Sequence, residues 1–393
     1  MPSRTSSSAN TALLALALGG LGIGSTEFAI MGLLPQVANG LRITIPQAGH
    51  LISAYALGVV IGAPIFAVLT AHMKRKPTLM MLMSIFTCGN ALSAFAPGYH
   101  SMMLARFLAG LPHGAYFGIA AVTGAVLAGK GKRGHAISMI MMGLTIANVI
   151  SVPLLTLMGQ HIGWRWAFGV IAGIGLLTVL AIALIVPETG TSGASIKGEL
   201  SALKQPQIWL TLLTGMIGFG GFFAVYSYIT PMMTDVTGFS LTTVTLILSI
   251  YGLGMTTGNF LGGKTTDWNI NKSIYLFGAS MAITLLLFTL AIHHKATAVI
   301  LVYFMGVSVS AYTVPLQARL MVVAEGAQNL AASMNHSALN LANALGAWLG
   351  GLVIAAGLGY VAPVWVGFIL AIAGLICAFI TFSLQKKTAK SHK

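Results

Sequence analysis

The 393 residues are 56% hydrophobic and 7% charged, with 47 glycines and a mean hydropathy of +0.89. That is more apolar surface than a water-soluble fold of this length can hide, so lipid is the expected solvent. The net charge of +14 lies in short turns between apolar runs, which excludes a nucleic-acid surface and fits anionic lipid headgroups.

Apolar runs of membrane-crossing length predict twelve spans, at about 11–37, 46–70, 77–96, 99–128, 134–158, 164–187, 207–235, 240–263, 272–292, 296–320, 327–356 and 361–384. The first is too long for a cleaved signal peptide. With the N-terminus inside, 16 of the 20 basic residues fall on the cytoplasmic side. Only Arg42, Arg165 and Lys295 are external, and Arg106 lies within a span. The positive-inside rule therefore predicts that both termini are cytoplasmic.

The longest polar stretch separates spans six and seven. It predicts an N-terminal six-helix bundle over 1–187, a cytoplasmic linker over 188–206 and a C-terminal six-helix bundle over 207–393. The two parts repeat at an offset of 196 residues. Gly22, Gly24 and Pro35 match Gly218, Gly220 and Pro231. Tyr55, Leu57, Gly58 and Gly62 match Tyr251, Leu253, Gly254 and Gly258. Gly110, Ala115 and Tyr116 match Gly306, Ala311 and Tyr312. At 195, Ala147-Asn148 matches Ala342-Asn343. Six spans per repeat preserve topology, so the repeats are parallel and predict a solute site between them near the midplane.

Two charges stand out. Glu27, in span one, is the only acid outside a loop or its border, and a carboxylate in hydrocarbon costs several kcal/mol unless paired, hydrated or protonated. A proton site and a carboxyl kept neutral by helix–helix hydrogen bonds are the two readings. At about 1.5 Å per residue, Glu27 lies roughly 24 Å into span one and Arg106 roughly 10 Å below the outer end of span four, at similar depth. Their repeat counterparts are Phe223 and Val302, so charge chemistry is expected in the first half alone.

Several segments together resemble a known family. They are Ser-Thr-Glu27-Phe in span one, Arg106-Phe-Leu-Ala-Gly110-Leu-Pro-His-Gly114 in span four and Gly143-Leu-Thr-Ile-Ala-Asn148 with Pro153 in span five. Gly159-Gln-His-Ile-Gly-Trp-Arg-Trp-Ala-Phe168 and Asn340-Leu-Ala-Asn-Ala-Leu-Gly346 join them. The chain resembles, end to end, the twelve-helix drug:proton antiporters of the major facilitator superfamily, within the arabinose-efflux-permease-like branch. The resemblance implies an all-α membrane protein of two parallel six-helix repeats and an Arg106 involved in proton movement, the alternative being an Arg106 that only caps backbone carbonyls or ties loops. It further implies proton-coupled export of a small, moderately apolar solute such as an amphenicol, a sugar or a nucleoside. An uncoupled facilitator with a structural Glu27 is the alternative.

Two motifs depart from the family. The loop after span two reads Ala67-Val-Leu-Thr-Ala71-His72-Met-Lys74-Arg75-Lys76, without the Gly, Asp and first Arg of Gly-x-x-x-Asp-Arg-x-Gly-Arg. Its counterpart keeps Gly263-Lys-Thr-Thr-Asp267, so a conformational latch is expected from Asp267 with Lys74 and Arg75. Span five has Ser151-Val-Pro153-Leu-Leu155 where the branch has Gly-x-Pro-x-Gly, which weakens the expectation of close packing there. The substrate contacts expected from polar and aromatic residues in cavity-lining spans are His113, Tyr116, Asn148, Tyr226, Tyr228, Asn340 and Asn343. Cys88 and Cys377 are both mid-helix and in different halves, and they read as small packing residues that imply no disulfide framework or metal pair. No Gly-x-x-x-x-Gly-Lys-Ser/Thr, His-Glu-x-x-His or Cys-x-x-Cys occurs, so neither cofactor nor metal, nor enzyme chemistry, is expected. A monomer in the bacterial inner membrane completes the reading.

Overall fold

A computed structural model describes residues 6–70, 73–129, 133–190, 204–324 and 328–391. The described residues are predominantly helical, with short turns between helices, and contain no strand. Span one is Ser6–Gly32, followed by a short helix Leu34–Leu41 with Pro35 in its first turn, where a missing N–H costs nothing. Spans two and three are Ile45–Leu69 and Arg75–Phe95. Span four is two segments, Tyr99–Gly110 and His113–Ala128, joined at Leu111-Pro112.

Span five runs Arg133–Ile146, Ala147–Ser151 and Val152–Met158, and span six is Trp164–Ile185. The middle piece of span five is a π-turn. It directly precedes Val152-Pro153, and Pro153 supplies no backbone N–H, so the ladder shifts register there. Spans seven to twelve are Pro206–Tyr226, Leu241–Trp268, Ile270–Ala291, Lys295–Val323, Gln328–Ala355 and Ala362–Ser391.

Eleven continuous stretches among the described residues are long and apolar enough to cross a bilayer, one of them Met139–Ile185 at 47 residues. A crossing needs about 20 residues, so that stretch holds two spans. They meet at Gly163, whose φ of 122° turns the chain where a side chain would be strained. The fold is therefore an all-α membrane bundle of twelve spans.

Packing repeats as the sequence does. Span one packs on five and six, two on four, and three on four and six. Span seven packs on eleven and twelve, eight on ten, and nine on ten and twelve. Between the two sets, span two lies along eleven and span eight along five. The matched glycines make matched contacts: Gly58, Gly62 and Gly110 press against the carbonyls of Phe107, Leu111 and Tyr55. Gly254, Gly258 and Gly306 press against those of Tyr303, Val307 and Tyr251. A Cβ at any of the six would meet backbone, so small residues set these helix spacings.

The close approach expected to weaken in span five is supplied from the opposite side. Gly252 of span eight lets the Asn148 carbonyl come within 2.8 Å of where its Cβ would stand. Most of the linker expected over 188–206 lies outside the described residues, as do Ala71 and His72.

Candidate functional site

Span one carries Ser25, Thr26 and Glu27 as consecutive buried residues. Their side chains fan around the helix to different neighbours, because successive residues are about 100° apart. The Ser25 hydroxyl meets that of Ser151 at 2.7 Å, beside the span-five π-turn. The Thr26 hydroxyl donates to Asn90 Oδ1 of span three at 2.5 Å, and Asn90 is itself oriented by donating to the Phe86 carbonyl.

Arg106 is fully buried on span four. Its guanidinium donates to the Thr26 hydroxyl at 2.8 Å and to the Thr26 carbonyl at 3.1 Å. It also lies 4.5 Å from the Tyr55 ring centroid and 5.5 Å from that of Phe168. Its Nε has no partner. Arg106 therefore grips the residue next to Glu27, which sets both charges at one depth. No hydrogen bond or ion pair joins Glu27 to Arg106 among the described residues. Their attraction acts at longer range, through a medium that screens poorly.

Glu27 is 6% exposed and faces Asn343 of span eleven, across the contact between the first six spans and the last six. Asn343 is fully buried with both amide atoms unpartnered, a costly arrangement unless water or a solute completes it. The next residue, Phe28, meets Tyr226 edge-on at 6.1 Å. Tyr226 stacks on Phe222 and lies 4.2 Å from Tyr251, whose hydroxyl is buried without a partner. An aromatic wall from spans seven and eight thus stands opposite the one intramembrane carboxylate.

The remaining expected contacts divide by what their polar atoms do. Tyr116 donates to the Leu16 carbonyl at 2.8 Å and Tyr228 to the Ala347 carbonyl at 2.6 Å, so both hydroxyls tie helices together. Asn148 and Asn340 each donate to the carbonyl four residues earlier, leaving Oδ1 free and buried. His113 Nδ1 is 3.1 Å from the Tyr55 hydroxyl. Of the expected latch, Arg75 donates to the Thr189 carbonyl at 2.7 Å beyond span six, Lys74 is exposed, and the Asp267 side chain lies outside the described residues.

Two residues escape the sequence reading. His336 lies 6.1 Å, ring to ring, from His113 and stacks on Phe117 at 5.7 Å. The available signal is spacing, since 336, 340 and 343 fall on one helical stripe. Arg319, expected in a cytoplasmic segment, is buried at the end of span ten. Thr211, Asn271, Gln207 and Gln385 all accept from it, and it packs 4.4 Å from the Phe382 ring centroid. No group of three or more metal-ligating side chains occurs among the described residues.

The chain is 42% identical over 380 residues to the Escherichia coli K12 inner membrane transport protein YdhP, covering 96% of this chain and 98% of that one. It is 27% identical to a chloramphenicol resistance protein of Streptomyces lividans, covering 93% and 95%. The fold matches the crystal structure of a D-xylose-proton symporter at a TM-score of 0.74 and 17% identity, covering 94% and 96%. Residues 16–328 match the model of the Major Facilitator Superfamily, and the chain belongs to that family, a multi-pass membrane transporter of small solutes and not an enzyme.

Proposed function

We propose that the protein exports a small, moderately apolar solute across the bacterial inner membrane in exchange for protons, with both termini cytoplasmic. Residues 1–187 and 207–393 rock about a central site as a monomer, joined by a linker at 188–206. The observation that carries this reading is Glu27: a buried carboxylate with no bonded counter-charge, facing unpartnered amide atoms across the contact between repeats. Such a group is stable when protonated or when wetted, and less so otherwise. Its proton occupancy and the opening of the cavity are therefore linked, which is what exchange requires.

Arg106, pinned by Thr26, supplies positive potential that favours release of the proton. Asn148, Asn340 and Asn343 offer hydrogen bonds to the solute, with Tyr226 and the apolar wall behind it giving bulk affinity. With the termini inside, the contacts of Thr230 with the Met31 carbonyl and of Gln160 with the Leu241 carbonyl are on the outer side. This conformation is accordingly closed outward.

The test starts with thermal-shift screening of the purified chain against amphenicols, nucleosides, sugars and lipophilic cations. The stabilising compound is then followed into everted proteoliposomes with and without an imposed pH gradient. Acceleration by an acid interior supports exchange. Equal flux with and without the gradient replaces it with an uncoupled facilitator.

A further inference from the structure

A second titratable cluster lies inward of Glu27 and outside the chemistry assigned above. Span four descends from Tyr99 while span eleven rises from Gln328. Arg106 to His113, across the Leu111-Pro112 joint, and Asn343 to His336 are therefore parallel displacements of seven residues, about 10 Å each. Glu27, Arg106 and Asn343 occupy one layer, and His113 with His336 the next one toward the cytoplasm. Span one agrees with that depth: Gly20, seven residues before Glu27, lies against the Phe117 ring.

The two imidazoles come from opposite repeats. Their centroids are 6.1 Å apart, with Phe117 5.4 Å from His113 and stacked within 9° of His336. The ionisable groups around them are few. Tyr55 of span two is hydrogen-bonded to His113, Arg106 lies behind Tyr55, and Glu27 of span one sits in the layer above. Span eleven adds only the amides of Asn335 and Asn340. No carboxylate touches either ring among the described residues.

We propose that His113 and His336 form a second proton-binding site whose protonation parts spans four and eleven on the cytoplasmic side. The proposal rests on the proton-coupled reading above. Two neutral imidazoles pack against Phe117 with no charge to desolvate. When a ring nitrogen takes a proton from a hydronium ion in the cavity, an N–H bond forms as the donor O–H bond breaks and leaves water, and an imidazolium now stands in an apolar contact facing another imidazole and backed by the Arg106 cation. Such a charge has to be hydrated, and separating the two spans admits the water. The contact that holds spans four and eleven together when both rings are neutral is thus the place where they part.

The experiment uses the full chain with Cys88→Ser, Cys377→Ser and Ala121→Cys, Ala121 being one turn inward of Phe117 on the same helix face. Everted vesicles are labelled with a membrane-impermeant maleimide at about pH 8 and about pH 5.5, on either side of the ordinary histidine range. Rates are divided by those of the same chain denatured at each pH, which removes thiol ionisation. With both histidines, normalised labelling is expected to rise about threefold at the lower pH, the mark of a modest population shift. His336→Gln, His336→Phe and His113→Gln should each remove the rise.

His336→Phe keeps a ring on Phe117 but takes no proton, so a rise that survives in it reduces His336 to packing and overturns the proposal. A rise lost only in Glu27→Gln assigns the response to Glu27, which overturns the second site and leaves proton exchange standing. No rise in the chain with both histidines also overturns the pair, while proton exchange is judged separately by gradient-driven flux.

Discussion

The two repeats share a frame and differ in what they mount on it. In both, three glycines bring the second and fourth spans of the repeat into backbone contact: Gly58, Gly62 and Gly110 in one, Gly254, Gly258 and Gly306 in the other. Where the first repeat has Glu27 and Arg106 the second has Phe223 and Val302, and the neighbouring positions carry Phe219, Phe222 and Tyr226. Among the described side chains, each repeat also holds one buried guanidinium on neutral acceptors, at different places. Arg106 sits at the central layer on Thr26, whereas Arg319 sits at the end of the bundle on Gln207, Asn271 and Gln385. Helix spacing is thus set by residues without side chains, which leaves the facing positions free to diverge into an ionic surface and an aromatic one.

The comparison breaks most directly at Glu27. Glu27→Gln keeps volume and hydrogen bonding but takes no titrating proton, so gradient-driven export is expected to vanish while expression and thermal stability stay near wild type. Transport of the screened solute at wild-type rate and pH dependence would sink the division of labour. The shared frame is tested next. Gly58→Ala and Gly254→Ala each force a methyl into backbone, and each is expected to cost about 1–3 kcal/mol, the usual scale of overpacking. The two should be equal within error in a thermal unfolding series, with Gly173→Ala, where nothing lies within 4 Å, as the neutral control.

A smaller effect is expected at Arg106. Lysine retains the charge but cannot donate to the Thr26 hydroxyl and carbonyl as a planar fork. Arg106→Lys should lower coupled flux about tenfold, equivalent to ~1.4 kcal/mol, with little change in solute affinity by thermal shift. The smallest concerns the loops. Asp267→Asn should shift the conformational balance by about 1 kcal/mol, the scale of a charge near a helix end. Ala71→Asp should shift it less. Cysteine accessibility from each side reports both, and unchanged labelling in Asp267→Asn would remove the latch from the second repeat.

Much of this frame is legible in the sequence because hydropathy and glycine spacing are local. The offset of 196 residues predicts which glycines correspond, and the structure gives them corresponding carbonyls. What is not legible depends on helix rotation. That Arg106 reaches Thr26 instead of Glu27 depends on how spans one and four are rotated about their axes, which spacing does not specify. Tyr116 and Tyr228 read as cavity residues because an aromatic with a hydroxyl suits a binding site, and only the structure shows their hydroxyls committed to the Leu16 and Ala347 carbonyls. Asn335-His336-Ser337 near the start of span eleven resembles a polar helix end, so sequence alone does not mark His336 as facing the cavity. The break between spans five and six carries so little polarity that the hydropathy of Met139–Ile185 runs through it, and Gly163 alone marks the turn.

The six backbone-facing glycines have a consequence for how such a chain can change. In a library of variants selected only for insertion and stability, those six sites should be emptied of every larger residue. Gly169, Gly173 and Gly263, with open space around them, should accept substitutions freely. Adaptation to a new solute would then be channelled into the facing side chains, so that one inherited chassis can be refitted for different cargo without being rebuilt.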